Sequence, residues 1–361
     1  MNIIFRVDSS LSIGSGHVMR CLTLANGLRL RGHICDFVCV NHAGNMIDHI
    51  CAEQFETHVL PERGISDAVE GNEYARWLGC SQQEDGLLTA NSIDLNMTDW
   101  IIVDNYALSG EWESLFIGKG IKVFAIDDLA NRPHRCNLLL DQTFGREAGN
   151  YHHLTLPSSR LLVGAEYSLL RPEFAAMRNE VLSRKKDLQI NHILISLGGI
   201  DEHNITERVL HAFHALNLPN TKLTVVVGEH CPWREDITRL AVVMNTPTTV
   251  LVNVRDMASL MAASDFAIGA AGSTTWERCC LGLPSALIAI AENQEFALSI
   301  LQNEGIVHKF NLQYLEKDII KFFEMSNLTN VVRALSDNCR SIVDGGGVIK
   351  VINEMEKIHG L

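Results

Sequence analysis

The chain has 361 residues, 47% of them hydrophobic, and its 43 acidic against 30 basic residues give a formal net charge of −13. That length favours two domains, and the composition suits a fully globular chain with buried sheets. The acidic balance argues against a nucleic-acid partner, which needs clustered Lys and Arg, but it leaves room for a nucleotide held by one local loop.

The first element is the apolar run Ile3–Val7, read as a buried strand, and Gly14-Ser15-Gly16-His17 follows it. Gly14 and Gly16 permit a tight turn and close ligand approach because they lack Cβ. Val18, Leu22, Ala25 and Leu28 then recur at three and four residues, one apolar helix face. His17 therefore falls at or near a helix N-terminus beyond the carboxyl end of a strand, where open α/β sheets bind ligands. A helix N-terminus disfavours added positive charge and so suits a neutral base. The competing reading is a histidine that only caps the turn. Met19 stands where a dinucleotide fingerprint needs its third glycine, and no lysine is followed by Ser or Thr, so a P-loop is excluded.

Ile34–Val40 reads as the next strand and Val59-Leu60 as a short third. Residues 63–98 are polar and hard to read, partly helical, and suit a loop over the site. Trp100–Val103, Lys122–Ile126 and Cys136–Leu140 read as strands ending in Asp104, Asp127-Asp128 and Asp141. Such ends put polar groups along one rim of a parallel sheet. For most of these aspartates, capping of the next helix is the preferred reading. Leu161–Glu173 reads as a crossover, with Pro172 suited to a first helical turn.

A second α/β series begins there. His192–Leu197 enters Gly198-Gly199, Lys222–Val227 ends at Gly228, and Thr249–Val252 leads into Asn253–Met257 with Asp256 as an N-cap. Phe266–Ile268 leads into Gly269–Glu277, and Pro284–Ile290 into Glu292-Asn293-Gln294. Strands alternating with helical stretches predict parallel sheets covered on both faces. Helices close the chain from about Tyr314 to Ile358, broken near Gly345-Gly346-Gly347. The expected division is 1–165 and 166–344, with 345–361 returning to the first domain.

In Gly272-Ser273-Thr274-Thr275-Trp276-Glu277, glycine and hydroxyl residues start a helix, whose free N–H groups suit phosphate. Glu277 lies i+4 from Ser273, on the same face, placed to accept both hydroxyls of a ribose. A plain capping pattern with Glu277 as a solvated charge is the alternative. Gly198, Gly199, Asn293 and Gln294 fall at strand ends of the same sheet. Backbone groups around Val254 could read a uracil, packed by Met257.

The ten cysteines are scattered, with no Cys-x-x-Cys pair and no His-Glu-x-x-His, and read as reduced core thiols of a cytoplasmic protein. Cys279-Cys280 reads as packing rather than chemistry. Asp8 arrives too early for a secretory leader, and no apolar run approaches the roughly 20 residues that span a bilayer.

Several of these segments together resemble one family. They are Gly14–His17 with Arg20-Cys21-Leu22, Val103–Tyr106, Ile126–Ala130, Leu197–Gly199, and Gly272–Glu277 followed by Leu281–Pro284. In that order they look like the pseudaminic-acid-pathway hydrolases that release UDP from UDP-2,4-diacetamido-2,4,6-trideoxy-β-L-altropyranose, relatives of the MurG-type glycosyltransferases. The similarity runs over most of residues 1–310; 63–98 and the tail from 311 match poorly, and Ala271 stands where the family often has glycine. The resemblance implies a GT-B fold, two Rossmann-like doubly wound domains facing a cleft. It implies His17 as catalytic base, UDP on the Gly272–Glu277 loop with Glu277 on the ribose, and no metal or other cofactor. Asp8, Arg20 and Tyr106 are further candidates for sugar or phosphate contacts. Each has a structural alternative: capping for Asp8, pairing with a carboxylate for Arg20, packing at the rim for Tyr106. The expected partner is a small-molecule UDP-sugar, with no nucleic acid and no membrane, and the oligomeric state is left open. A MurG-like transferase and a non-catalytic nucleotide-sugar sensor remain as other readings.

Overall fold

A computed structural model describes residues 1–62, 74–184, 189–292 and 294–361. Asn293 and much of the expected loop over the site, 63–73, lie outside the described residues. The chain divides into two compact units: Met1–Leu169 with Gly346–Leu361, and Leu170–Gly345.

The first unit runs β1 (Asn2–Val7), α1 (Gly16–Leu30), β2 (Ile34–Val40), α2 (Ile47–Ala52), β3 (Glu56–Leu60), α3 (Gln82–Ser92), β4 (Trp100–Asp104), α4 (Gly110–Ile117), β5 (Lys122–Ile126), β6 (Leu138–Asp141) and β7 (Arg160–Val163). The strands form one parallel sheet in the order β3-β2-β1-β4-β5-β6-β7. Side chains alternate across it, as the two-residue strand period requires. Ile3, Phe5 and Val7 enter the core shared with Val18, Leu22, Ala25 and Leu28 of α1. Ile4 enters the opposite core with Trp112 and Phe116 of α4. Arg6 points to that second face and is fully buried, held there by Asp8 at 2.7 Å and by both carboxylate oxygens of Asp85 on α3.

Leu161–Glu173 is not a simple crossover. Arg160–Val163 pairs with β6 as the last strand of the sheet, because its short Leu-Leu-Val run still has a free strand edge to cover. Pro172 does open a helix, α5 (Pro172–Arg184). Part of the hard stretch 63–98 is ordered as α3, capped by Ser81, whose hydroxyl accepts from the Glu84 amide at 3.2 Å.

The second unit continues with β8 (His192–Ser196), α6 (Ile205–Leu216), β9 (Lys222–Val227), α7 (Arg234–Val243), β10 (Thr248–Val252), α8 (Met257–Ala262), β11 (Phe266–Ala270), α9 (Thr274–Cys280), β12 (Ser285–Ile288), α10 (Gln294–Asn303), β13 (His308–Lys309), α11 (Leu315–Phe323) and α12 (Leu328–Cys339). Its parallel sheet has the order β10-β9-β8-β11-β12-β13. Asp256 caps α8 as expected, accepting from the Ser259 amide at 2.9 Å.

The last helix, α13 (Gly347–His359), packs on α1 in the first unit, with Val351, Ile352 and Met355 fully buried there. Two glycines make room. A Cβ on Gly27 would lie 2.6 Å from Val348 Cγ1, and one on Gly347 would lie 2.2 Å from the Ser168 carbonyl oxygen.

Candidate active site

In the first unit the site grows from the carboxyl ends of β1, β4 and β5, next-door strands in the sheet. After β1 the chain turns through Gly14, whose φ of 81° is left-handed and whose amide donates to Ser10 at 2.9 Å. Helix α1 then starts at Gly16, so His17 stands in its first turn. Its Nδ1 is 2.7 Å from Asp104 Oδ1 at the end of β4. Arg20, one turn along α1, donates Nε and Nη2 to the two oxygens of Asp104 at 2.6 and 2.7 Å, and Nη1 to Asp128 at 2.6 Å.

Burial alone would push the Asp104 carboxyl up, but the charges and hydrogen bonds of Arg20 and His17 outweigh it and hold it well below the ordinary carboxylate range. An ionised Asp104 can only accept. In the neutral imidazole the short contact therefore places the proton on Nδ1 and the lone pair on Nε2. The Tyr106 ring meets the imidazole edge-on at 4.6 Å between centroids, and Trp77 lies 6.4 Å away on the same residue. Tyr106 is itself buried and donates its hydroxyl to Asp128 at 2.8 Å. Burial and the Asp128 charge push that phenol well above its usual range.

Helix capping does not describe the rim aspartates. Asp104 binds His17 and Arg20, while α4 is capped by Ser109. Asp8, only 2% exposed, holds Arg6, the Val40 amide and Asn105. Asp127 holds Arg132, the Ala130 amide and Tyr151. Asp141 holds the Thr143 amide, Arg146 and Tyr151. Three of the first-unit candidates, His17, Arg20 and Tyr106, thus come together, joined by Asp104 and Asp128, which sequence reasoning did not single out. Asp8 is spent on internal bonds.

In the second unit the candidates line the carboxyl ends of β8, β10, β11 and β12. Gly198 has a φ of 97°, and Gly228 donates to the Gly199 carbonyl at 2.9 Å. A Cβ on Gly228 would come within 2.3 Å of that oxygen, so the approach demands glycine. Gly272 and Ser273 turn into α9, and the Gly272, Ser273 and Thr274 amides meet no acceptor among the described residues. Glu277 is not a solvated charge. Its side chain is 15% exposed and lies 3.5 Å from Arg171, which also donates to the Arg255 carbonyl at 3.1 Å. Burial pushes its carboxyl up, with Arg171 pulling the other way. Val254 and Met257 sit half-buried at the end of β10, and Gln294 accepts from the Ile290 amide at 3.0 Å.

This pair of sheets defines the GT-B class, the fold of the nucleotide-sugar glycosyltransferases. Over 99% of both chains the structure resembles MurG of Acinetobacter baumannii, with a TM-score of 0.70 and 16% identity. It also resembles the Streptomyces glycosyltransferase SsfS6 solved with thymidine diphosphate (TM-score 0.62, 12% identity, 98% of this chain and 99% of that one). The S. aureus MnaA–UDP structure gives 0.61 at 11% identity, over 98% of this chain and 96% of that one.

In sequence the chain is similar to the UDP-2,4-diacetamido-2,4,6-trideoxy-β-L-altropyranose hydrolase of Campylobacter jejuni, 26% identical over 84% of this chain and 97% of the relative. It is 27% identical to the spore coat polysaccharide biosynthesis protein SpsG of Bacillus subtilis, over 56% of this chain and 60% of that protein. No family model matches. Among the described residues no helix is long and apolar enough to cross a membrane.

Proposed function

We propose that the protein is a UDP-sugar hydrolase that converts UDP-2,4-diacetamido-2,4,6-trideoxy-β-L-altropyranose into UDP and the free sugar, in pseudaminic acid biosynthesis. The observation that carries the reading is His17 with its Nδ1 2.7 Å from the buried Asp104 carboxylate. The similarity to the Campylobacter hydrolase across nearly its whole length supplies the substrate class.

His17 Nε2 orients a water and takes its proton as the water oxygen bonds to the anomeric carbon. The bond from that carbon to the phosphate oxygen breaks, and its electron pair leaves with UDP. Attack opposite the leaving group inverts the anomeric centre. UDP is a good leaving group, so one base suffices where an ordinary glycosidase uses two carboxyl groups. Asp104 stabilises the imidazolium as it forms, and Arg20 keeps Asp104 ionised and in place. Tyr106, held by its bond to Asp128, walls the imidazole.

The UDP half is assigned to the second unit. The Gly272–Thr274 amides, with the Ser273 and Thr274 hydroxyls, take the diphosphate and the charge that grows on it. Glu277 takes the ribose hydroxyls, backbone around Val254 takes the uracil over Met257, and Gly198, Gly199 and Gln294 complete the sheet end. Asn293 keeps its place in this list from the sequence alone.

A transferase is the second reading, favoured by the likeness to MurG and SsfS6. Purified protein given the UDP-sugar without an acceptor separates the two by proton NMR. The hydrolase releases free sugar, first seen in the inverted anomeric form. A transferase leaves the UDP-sugar intact until an acceptor is added.

A further inference from the structure

Behind the turn assigned above to the diphosphate lies a buried cation that, among the described residues, forms no ion pair at contact distance and feels only the more distant Glu277 charge. Arg278 is 2% exposed. Its Nη2 donates to the Ala270 carbonyl at 2.9 Å and to Thr275 Oγ1 at 3.3 Å, and among the described residues its Nε meets no hydrogen-bond partner. Its guanidinium lies against Gly269, where a Cβ would come within 2.5 Å of Nη1. Among the described residues no carboxylate reaches ion-pair distance of it. The buried arginines of the first unit differ: Arg6, Arg20 and Arg132 each hold an aspartate at 2.7 Å or less. Burial pulls Arg278 down to about 10, and the charges of Cys279 and Glu277 pull the other way without offsetting it.

A buried charge without a counterion costs several kcal/mol and is kept only where something else repays it. The two atoms Arg278 does hold belong to the Gly269–Thr275 turn itself. We propose that Arg278 is a positioning residue whose charge is completed by the diphosphate bound on the other side of that turn, so that the empty protein carries the cost and the loaded protein recovers it. Arg278 fixes the turn through Ala270 and adds attraction for the anion without touching it. This rests on the assignment of UDP to the Gly272–Glu277 loop.

The account makes Arg278 costly to the empty protein and useful to the loaded one, which a merely structural arginine is not. The test is Arg278→Gln in the full chain, which removes the charge and keeps a polar side chain, with Arg278→Lys as the charge-keeping control. Melting temperature is read without ligand, and UDP and uridine affinities by calorimetry. Arg278→Gln is expected to melt at or above the wild-type temperature, to bind UDP about tenfold more weakly, and to bind uridine unchanged. Arg278→Lys is expected to keep more UDP affinity than Arg278→Gln. Lower stability of the empty Gln variant, or its failure to fold, overturns the inference. So does equal loss of UDP and uridine. Unchanged UDP binding in Arg278→Gln overturns this inference alone, whereas wild-type protein that binds no UDP overturns the UDP assignment as well.

Discussion

Arg20 donates to both oxygens of Asp104, at 2.6 and 2.7 Å. The same carboxylate orients His17, so one buried ion pair sets both the rigidity and the protonation of the imidazole. Asp104→Asn keeps the shape but removes the charge. The expected result is a kcat lower by roughly 10²-fold or more with UDP affinity unchanged. Stability falls by about 3 kcal/mol, because Arg20 is left buried with Asp128 as its carboxylate partner. The folded Asp104 carboxyl is held low, so its stabilisation is present above its unfolded value of about 4 and is lost as pH falls toward its folded value. Denaturation curves below pH ~4 should be flatter in the variant.

His17→Ala removes the proposed base without touching the UDP loop. Turnover is expected to fall by roughly 10²–10⁴ in kcat, with UDP affinity held. Steady-state kinetics beside UDP calorimetry check this, and near-normal turnover removes His17 from the role.

Asp141 sets a second pH window. The Tyr151 hydroxyl lies 2.7 Å from Asp141 Oδ2 and 2.8 Å from Asp127 Oδ2, yet it has one proton for two carboxylates. Burial, followed by the charge of Asp128, pushes Asp141 up to about 7, while Asp127 is held low by Arg132 and His134 against its own burial. Asp141 therefore takes up the missing proton as pH falls through about 7. A raised folded value gives stability that is full below the unfolded value of about 4 and lost as pH rises through the folded one. Urea denaturation should show wild-type stability declining between pH ~4 and ~7, and Asp141→Asn should flatten that decline.

Gly347 meets the Ser168 carbonyl where its Cβ would be. The obstacle is backbone, so it cannot rotate away. Gly347→Ala is expected to cost about 1–3 kcal/mol, in the range of overpacked cores. Met355→Ala, deeper in the contact of α13 with α1, should cost about 2–5 kcal/mol through the cavity it leaves. Thermal melts of both variants check the size of each effect.

Most strands were legible because buried parallel strands are short, nearly continuous apolar runs, as Lys122–Ile126 and Lys222–Val227 illustrate. The two edge strands that escaped, Arg160–Val163 and His308–Lys309, are too short to carry a period. The glycine turn before His17 was legible from local spacing. Its partner was not: Asp104 is 87 positions away, and nothing local separates a strand-end aspartate that orients a histidine from one that caps a helix. Arg171 beside Glu277 escaped for the same reason, since their contact spans two elements of the second unit. Pairing with a carboxylate, the structural alternative for Arg20, describes its bonds well, yet one of those carboxylates, Asp104, also holds His17.

Turnover in ¹⁸O-water without an acceptor tests the central claim most directly, with the released UDP weighed by mass spectrometry. Base-activated attack on the anomeric carbon predicts UDP that carries no ¹⁸O, released in step with free sugar. UDP bearing one ¹⁸O would mean attack at phosphorus, and no UDP at all would mean that water is not the acceptor. Either result would contradict the account.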